Sequence, residues 1–171
     1  QATQDRIEHN SFYESLALID TIGKLIGKHT VYTFDLHAEQ SQFAFHDMRC
    51  FSLVKELYNS YCEYYDSFTV AFPDEGSAKR FGKLLNIKNP IIYSKVREGE
   101  KRFVKPNRVL GEKETQIVII DDLVRSGGTM YEVAKHLLEN GAKTVDALFA
   151  HAPFEPSASV NLRLFRDVWT T

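Results

Sequence analysis

Residues 117–130 read Ile117-Val118-Ile119-Ile120-Asp121-Asp122-Leu123-Val124-Arg125-Ser126-Gly127-Gly128-Thr129-Met130. The β-branched run at the start is typical of a strand buried on both faces of a parallel sheet. It delivers two adjacent carboxylates to the strand's C-terminal end, and a loop of small residues then opens a helix. The spacing predicts that helix over 129–140, with Val133, Leu137 and Leu138 inward and Gly141 as its stop. Free backbone N–H groups and the positive end of the helix therefore meet at one point, which suits a phosphate monoester. Gly127 and Gly128 allow close backbone approach, and the hydroxyls of Ser126 and Thr129 can donate further hydrogen bonds. Asp121 and Asp122 would repel that phosphate. They suit adjacent hydroxyls of a sugar, or a metal ion beside an anionic ligand. An ordinary helix cap with an acidic approach is the competing reading. The Walker A pattern is absent, as is the three-glycine spacing of a dinucleotide site.

Outward from this stretch, strands and helices alternate. Phe12, Leu16, Ile19, Ile22 and Ile26 recur at helical spacing, so a helix is expected from Asn10 or Ser11 to about Gly27. A strand at 30–35, a polar bend and a helix at about 51–64 follow, the last with Val54, Leu57, Tyr58 and Tyr61 on one side. The strand expected at 67–72 breaks at Pro73, and a short helix at 78–85 leads to a strand at 90–95. Between 97 and 113, six basic residues (Arg97, Lys101, Arg102, Lys105, Arg108 and Lys113) crowd into seventeen positions, which reads as a mobile loop or flap. For Lys101, Arg102, Lys105 and Arg108 a solvated charge run is the preferred reading. A strand at 144–150, a short helix at 157–164 and a strand at 167–170 complete the order. The fold class is α/β, a mainly parallel sheet flanked by helices with a basic flap. Ligands of such folds bind where strands end and loops begin.

Composition narrows the function classes. The chain has 171 residues, 43% hydrophobic and 26% charged, with 21 Lys plus Arg against 23 Asp plus Glu. A net charge of -2 offers no global attraction to a nucleic-acid backbone, so no nucleic-acid partner is expected. No apolar run approaches the roughly 18 to 20 residues that cross a bilayer, and residues 1–11 have no signal-peptide core. A membrane partner is therefore not expected. Cys50 and Cys62, twelve apart and assigned to one predicted helix, form neither a disulfide framework nor a zinc spacing, which fits a cytoplasmic protein. His9, His29, His46 and His136 have no partner that the sequence identifies.

The strand, paired Asp and Ser-Gly-Gly-Thr loop resemble the phosphoribosyl diphosphate signature of type I phosphoribosyltransferase folds. Three further segments narrow the resemblance: Phe34-Asp35-Leu36-His37-Ala38-Glu39-Gln40, Phe72-Pro73-Asp74-Glu75-Gly76-Ser77-Ala78-Lys79-Arg80, and Ser94-Lys95-Val96-Arg97-Glu98-Gly99-Glu100-Lys101-Arg102. In this order they are similar to ribose-phosphate diphosphokinase (phosphoribosyl diphosphate synthase), with wording closest to its plant-type class. The resemblance implies transfer of the β,γ-diphosphoryl group of ATP to the anomeric hydroxyl of ribose 5-phosphate, with release of AMP and a requirement for Mg2+. It implies that Asp121 and Asp122 hold the ribose hydroxyls and that Arg125, Ser126, Gly127, Gly128 and Thr129 cradle the 5-phosphate. Asp74, Glu75, Gly76 and Ser77 would form the diphosphate loop, with Lys79 and Arg80 close behind. His37 and Asp74 would contact the ATP-bound magnesium, and Lys95 and Arg97 would stabilise charge on the transferring group. Arg6, in a segment similar to the end of the family's catalytic loop, is a further phosphate contact on this reading. His151 lies in Ala150-His151-Ala152, where the family has Thr-His-Gly.

Family chains are about twice as long and hold two related domains. The resemblance places 1–48 at the C-terminal part of the first domain and 49–171 in the second, which carries the ribose-phosphate site. On this reading the chain is a fragment or a divergent short member. It is expected to form homo-oligomers or to associate with related synthase subunits. Two alternatives remain at this point: a phosphoribosyltransferase consuming the same diphosphate, and a non-catalytic regulatory or binding subunit that keeps the fold.

Overall fold

The apolar spacing of the N-terminal segment produces helix α1 (Glu14–Ile26). Its expected start near Asn10 lies outside the described residues, which are 14–27, 30–37, 47–98 and 101–171 of the computed structural model. The chain divides into two compact units, Gln1–Leu53 and Val54–Thr171. In the first, strand β1 (Val31–Phe34) pairs in parallel with β2 (Met48–Phe51), Val31 opposite Met48 and Phe34 opposite Phe51. Tyr32 and Phe34 lie beside Phe51, with ring centroids 6.2 and 6.1 Å away, on an exposed face. Strand β2 differs from the expected bend and early helix start. Its four residues are largely exposed and include Arg49, so they carry no apolar alternation to reveal a strand. Cys50 consequently sits in β2, whereas Cys62 belongs to helix α2 (Leu53–Tyr64).

The second unit is built around the β-branched run, now strand β6 (Gln116–Leu123), in which Ile117, Val118, Ile119 and Ile120 are fully buried. Burial of each such side chain contributes roughly 1.5–3 kcal/mol before entropy is counted. Around it stand β3 (Thr69–Phe72), β4 (Ile91–Glu98), β5 (Lys101–Pro106), β7 (Thr144–His151) and β8 (Val168–Trp169). The sheet order is β5-β4-β3-β6-β7-β8, and every pairing is parallel except β4 with β5. Ile117 and Ile119 meet Val133, Ala134 and Leu137 of helix α4 (Gly128–Glu139) in one core, and Val118 and Ile120 are equally buried. Helix α3 (Glu75–Leu84) begins three residues before the expected 78. Asp74 causes the earlier start, because its carboxylate accepts the Ser77 N–H at 2.9 Å as an N-cap.

The basic segment is the main correction to the expected architecture. Instead of a loop throughout, 101–106 form β5, antiparallel to β4, with Lys95 opposite Val104 and Arg97 opposite Arg102. Arg108 is not part of a solvated run either. Its guanidinium forms a fork with Glu114, Nη1 to Oε2 and Nη2 to Oε1 both at 2.7 Å, and also donates to the Asn89 carbonyl. That pairing, with the Gly111 N–H, holds the Glu114 carboxyl well below its usual range, at about 2. The other end of the sheet is tied through Asp146 on β7. This fully buried carboxylate accepts from Tyr61 at 2.6 Å and from the Arg166 guanidinium. Among the described residues no helix is long and apolar enough to cross a membrane.

Candidate functional site

Strand β6 carries Asp121 and Asp122 at its C-terminal end, where β3 has already stopped and β7 continues beside it to His151. The loop that follows is held from below: the Val124 N–H donates to the His151 carbonyl at 2.9 Å, and Asn161 Nδ2 donates to the Ser126 carbonyl at 2.7 Å. Gly127 then opens α4 in the left-handed region, at φ 73°, and no side chain caps that helix. A Cβ on Gly127 would also lie 3.3 Å from the Cβ of Asn161, so both conformation and space call for glycine. The first turn of α4 thus presents backbone donors that Gly127 does not cap, the Gly128 N–H donating to Ser126 Oγ at 3.4 Å, with the Thr129 hydroxyl beside them.

Helix α3 brings the second segment to the same strand end. Ser77, fully buried, places Oγ 2.9 Å from Asp74 Oδ1 and 3.0 Å from Asp121 Oδ1. Its single hydroxyl proton cannot serve both carboxylates. Asp121 is pushed up to about 8, first by burial and then by the charges of Asp122 and Asp74, so it carries a proton at neutral pH. Arg80, one helical turn beyond Ser77, sends Nη1 to Asp122 Oδ2 at 2.8 Å and lies 3.9 Å from Asp121 Oδ1. Lys95 on β4 brings Nζ to 3.8 Å from Asp74 Oδ2.

The structure therefore brings together Asp74, Ser77, Lys95, Asp121 and Asp122, and places 125–129 directly after the last two. Arg125 stands at the loop but is paired with Glu155 at 2.6 Å, on the exposed side. Glu75 and Gly76 form the first turn of α3; a Cβ on Gly76 would lie 3.2 Å from Asp74 Oδ1. His37 follows β1 in the first unit. Arg97 is on β4, its side chain outside the described set, and Arg6, His9, His29 and His46 lie outside the described residues. His136 has a partner after all, since its Nδ1 lies 3.0 Å from the Tyr93 hydroxyl.

Three residues at the site escaped sequence reasoning in these roles: Arg80, Glu155 and Asn161. Arg80 carried a signal, because it is three residues from Ser77 and so shares its helix face. Glu155 and Asn161 carried none, being 30 and 35 residues from their partners. A groove of about 550 Å³ lined by Tyr58, Cys62, Phe68, Lys88 and Asn89 lies at the opposite strand ends, near Thr69 and Glu114, and contains none of the site residues.

No family model matches the chain. Over 139 residues it is 40% identical to ribose-phosphate pyrophosphokinase 3, chloroplastic, of Oryza sativa subsp. japonica, covering 75% of this chain and 32% of that protein. It is 30% identical over 174 residues to the ribose-phosphate pyrophosphokinase of Porphyromonas gingivalis, covering 94% of this chain and 53% of that one. The crystal structure of phosphoribosylpyrophosphate synthetase from Mycobacterium smegmatis superposes with a TM-score of 0.75 at 22% identity, covering 95% of this chain and 54% of that chain, which establishes the fold. The chain spans about a third to a half of the length of the curated relatives it matches. Sequence and fold together make it a member of the ribose-phosphate pyrophosphokinase family, matched over part of the length of its relatives.

Proposed function

We propose that the chain carries the ribose-phosphate half of a diphosphokinase that moves the diphosphoryl group of ATP onto the anomeric hydroxyl of ribose 5-phosphate and releases AMP. The observation that carries this reading is one strand end: two carboxylates on β6, followed at once by left-handed Gly127 and the uncapped first turn of α4. The 5-phosphate is assigned to 125–129, where backbone donors and the helix end favour an anion. The ribose hydroxyls are assigned to Asp121 and Asp122. Protonated Asp121 can donate as well as accept, which matches a pair of hydroxyls better than two bare carboxylates would.

The diphosphate is assigned to the first turn of α3, at Asp74, Glu75, Gly76 and Ser77. The Ser77 hydroxyl is already committed to Asp74 and Asp121, so this segment would offer backbone rather than the Ser77 side chain. Lys95 and Arg97 are assigned to the charge that develops on the transferring group, since such transfers need positioning and neutralisation more than a covalent nucleophile. Arg6 is assigned as a further phosphate contact.

Magnesium is assigned to Asp74 and His37. Asp74 offers a half-exposed carboxylate oxygen, and the described residues contain no group of three or more His, Cys, Asp or Glu that could cage a metal. A lone carboxylate of this kind suits an ion whose remaining ligands are phosphate oxygens and water. When bound, the ion neutralises triphosphate oxygens and favours release of AMP. Association with further copies or related subunits is proposed for the first unit, on the exposed rings of Tyr32, Phe34 and Phe51. A cytoplasmic setting rests on the two free cysteines alone, and the rice relative named above is chloroplastic by name.

Calorimetric titration of ribose 5-phosphate into the 171-residue chain, with Asp122→Ala as control, tests the site. Binding that the substitution weakens at least about tenfold supports it, and an unchanged affinity overturns it. AMP release from ATP, ribose 5-phosphate and Mg2+ tests the transfer; tight sugar-phosphate binding with no AMP would favour a binding subunit.

A further inference from the structure

Arg80 belongs to none of the roles assigned above, yet among the described residues it is the cation most deeply placed at the site. Its side chain is 15% exposed and that of Asp122 is 4% exposed, so the pair has largely left water. Such a pair is an inefficient way to gain stability, because desolvation offsets most of the attraction and an apolar pair of similar volume often does as well. Its position points to another purpose. Ser77 and Arg80 are one helical turn apart on α3 and reach the two neighbouring carboxylates separately. Ser77 Oγ takes Asp121 at 3.0 Å, and Arg80 Nη1 takes Asp122 at 2.8 Å. Without Arg80, three carboxylates (Asp74, Asp121 and Asp122) would face one another around this strand end. Lys95, 60% exposed and 3.8 Å from Asp74, is too far out to replace it. The guanidinium is planar and directional, so it fixes the plane of the carboxylate it holds, which an ammonium does not.

We propose that Arg80 is a positioning residue of the ribose site: from α3 it sets the orientation of the Asp122 carboxylate, and so determines how strictly the site demands both vicinal hydroxyls of the sugar. This rests on the reading of Asp121 and Asp122 as ribose ligands. It makes α3 a shared support, carrying the diphosphate segment at its first turn and the sugar's selectivity at its second.

The test compares affinities of the full chain for ribose 5-phosphate and 2-deoxyribose 5-phosphate in the unaltered protein, Arg80→Lys and Arg80→Met. A hydrogen-bonding site that fixes the hydroxyl should prefer ribose 5-phosphate by about tenfold or more. In Arg80→Lys, which keeps the charge and loses the fork, that ratio should fall to within about twofold of unity. A merely structural loss would weaken both ligands in parallel and leave the ratio unchanged, and that result overturns the proposal. Should Arg80→Met fail to fold, Arg80→Lys alone decides. Absence of ribose 5-phosphate binding in the unaltered chain would instead overturn the underlying assignment of the loop, and the proposal with it.

Discussion

At Gly127 a single methyl group separates a working loop from a strained one. The residue is left-handed, and an alanine would set its Cβ 3.3 Å from that of Asn161. Gly127→Ala should destabilise the chain by roughly 1–2 kcal/mol, read by denaturant unfolding, and should also weaken ribose 5-phosphate binding. Equal stability and affinity would contradict the assigned conformation. Arg125 makes the opposite kind of prediction. Its pair with Glu155 is exposed on both sides and therefore worth at most about 1 kcal/mol. Glu155→Gln should release the guanidinium to the loop and raise phosphate affinity by up to a few-fold; a loss of affinity would mean that Glu155 orients Arg125 instead. At this scale the sequence revealed which residues gather and not what they touch. The carboxylate pair and the glycines were legible because strand, loop and helix lie next to one another in the chain. Arg125 with Glu155, and Ser126 with Asn161, join residues that only the fold makes neighbours.

Among elements, β7 and α2 are joined through one buried carboxylate. Asp146 accepts from Tyr61 and Arg166, and removing it would leave the Tyr61 hydroxyl proton without an acceptor while Arg166 keeps its ion pair with Asp167. Asp146→Ala should therefore cost about 1–3 kcal/mol, above a surface substitution, and an unshifted thermal melt would refute that role. The parallel strands and their helices were legible from pattern, since a β-branched run such as 117–120 suits a strand covered on both faces. Strand β5 was not. Only Phe103 and Val104 are apolar between Lys101 and Pro106, and charge density masked a strand whose partner, β4, lies just before it. The four-residue β2 failed for a related reason, having no buried alternation to detect.

For the whole molecule, two carboxyls set the pH response. Asp121 titrates at about 8 in the folded chain against an ordinary 3.8, so the unfolded chain loses its proton first. Its contribution is fully present below about pH 4 and is lost as pH rises through about 8. Glu114, held at about 2 against an ordinary 4.5, contributes above about 4.5 and loses that as pH falls through about 2. Together they place the stability maximum on the acid side of neutrality. Denaturant unfolding at a series of pH values should show stability declining from about pH 5 to 8, with Asp121→Asn removing that decline; a rise across the same range would contradict the assigned environment of Asp121.

Strand β5 is the last strand on its side of the sheet, and its outer row of backbone groups has no partner strand among the described residues. A long bare row of that kind is a template on which further chains can grow into aggregates. Here the strand carries an exposed lysine, Lys105, and ends on Pro106. An incoming strand would meet like charge and then a residue with no N–H to offer. The basic character of this segment therefore also works as a guard against polymerisation.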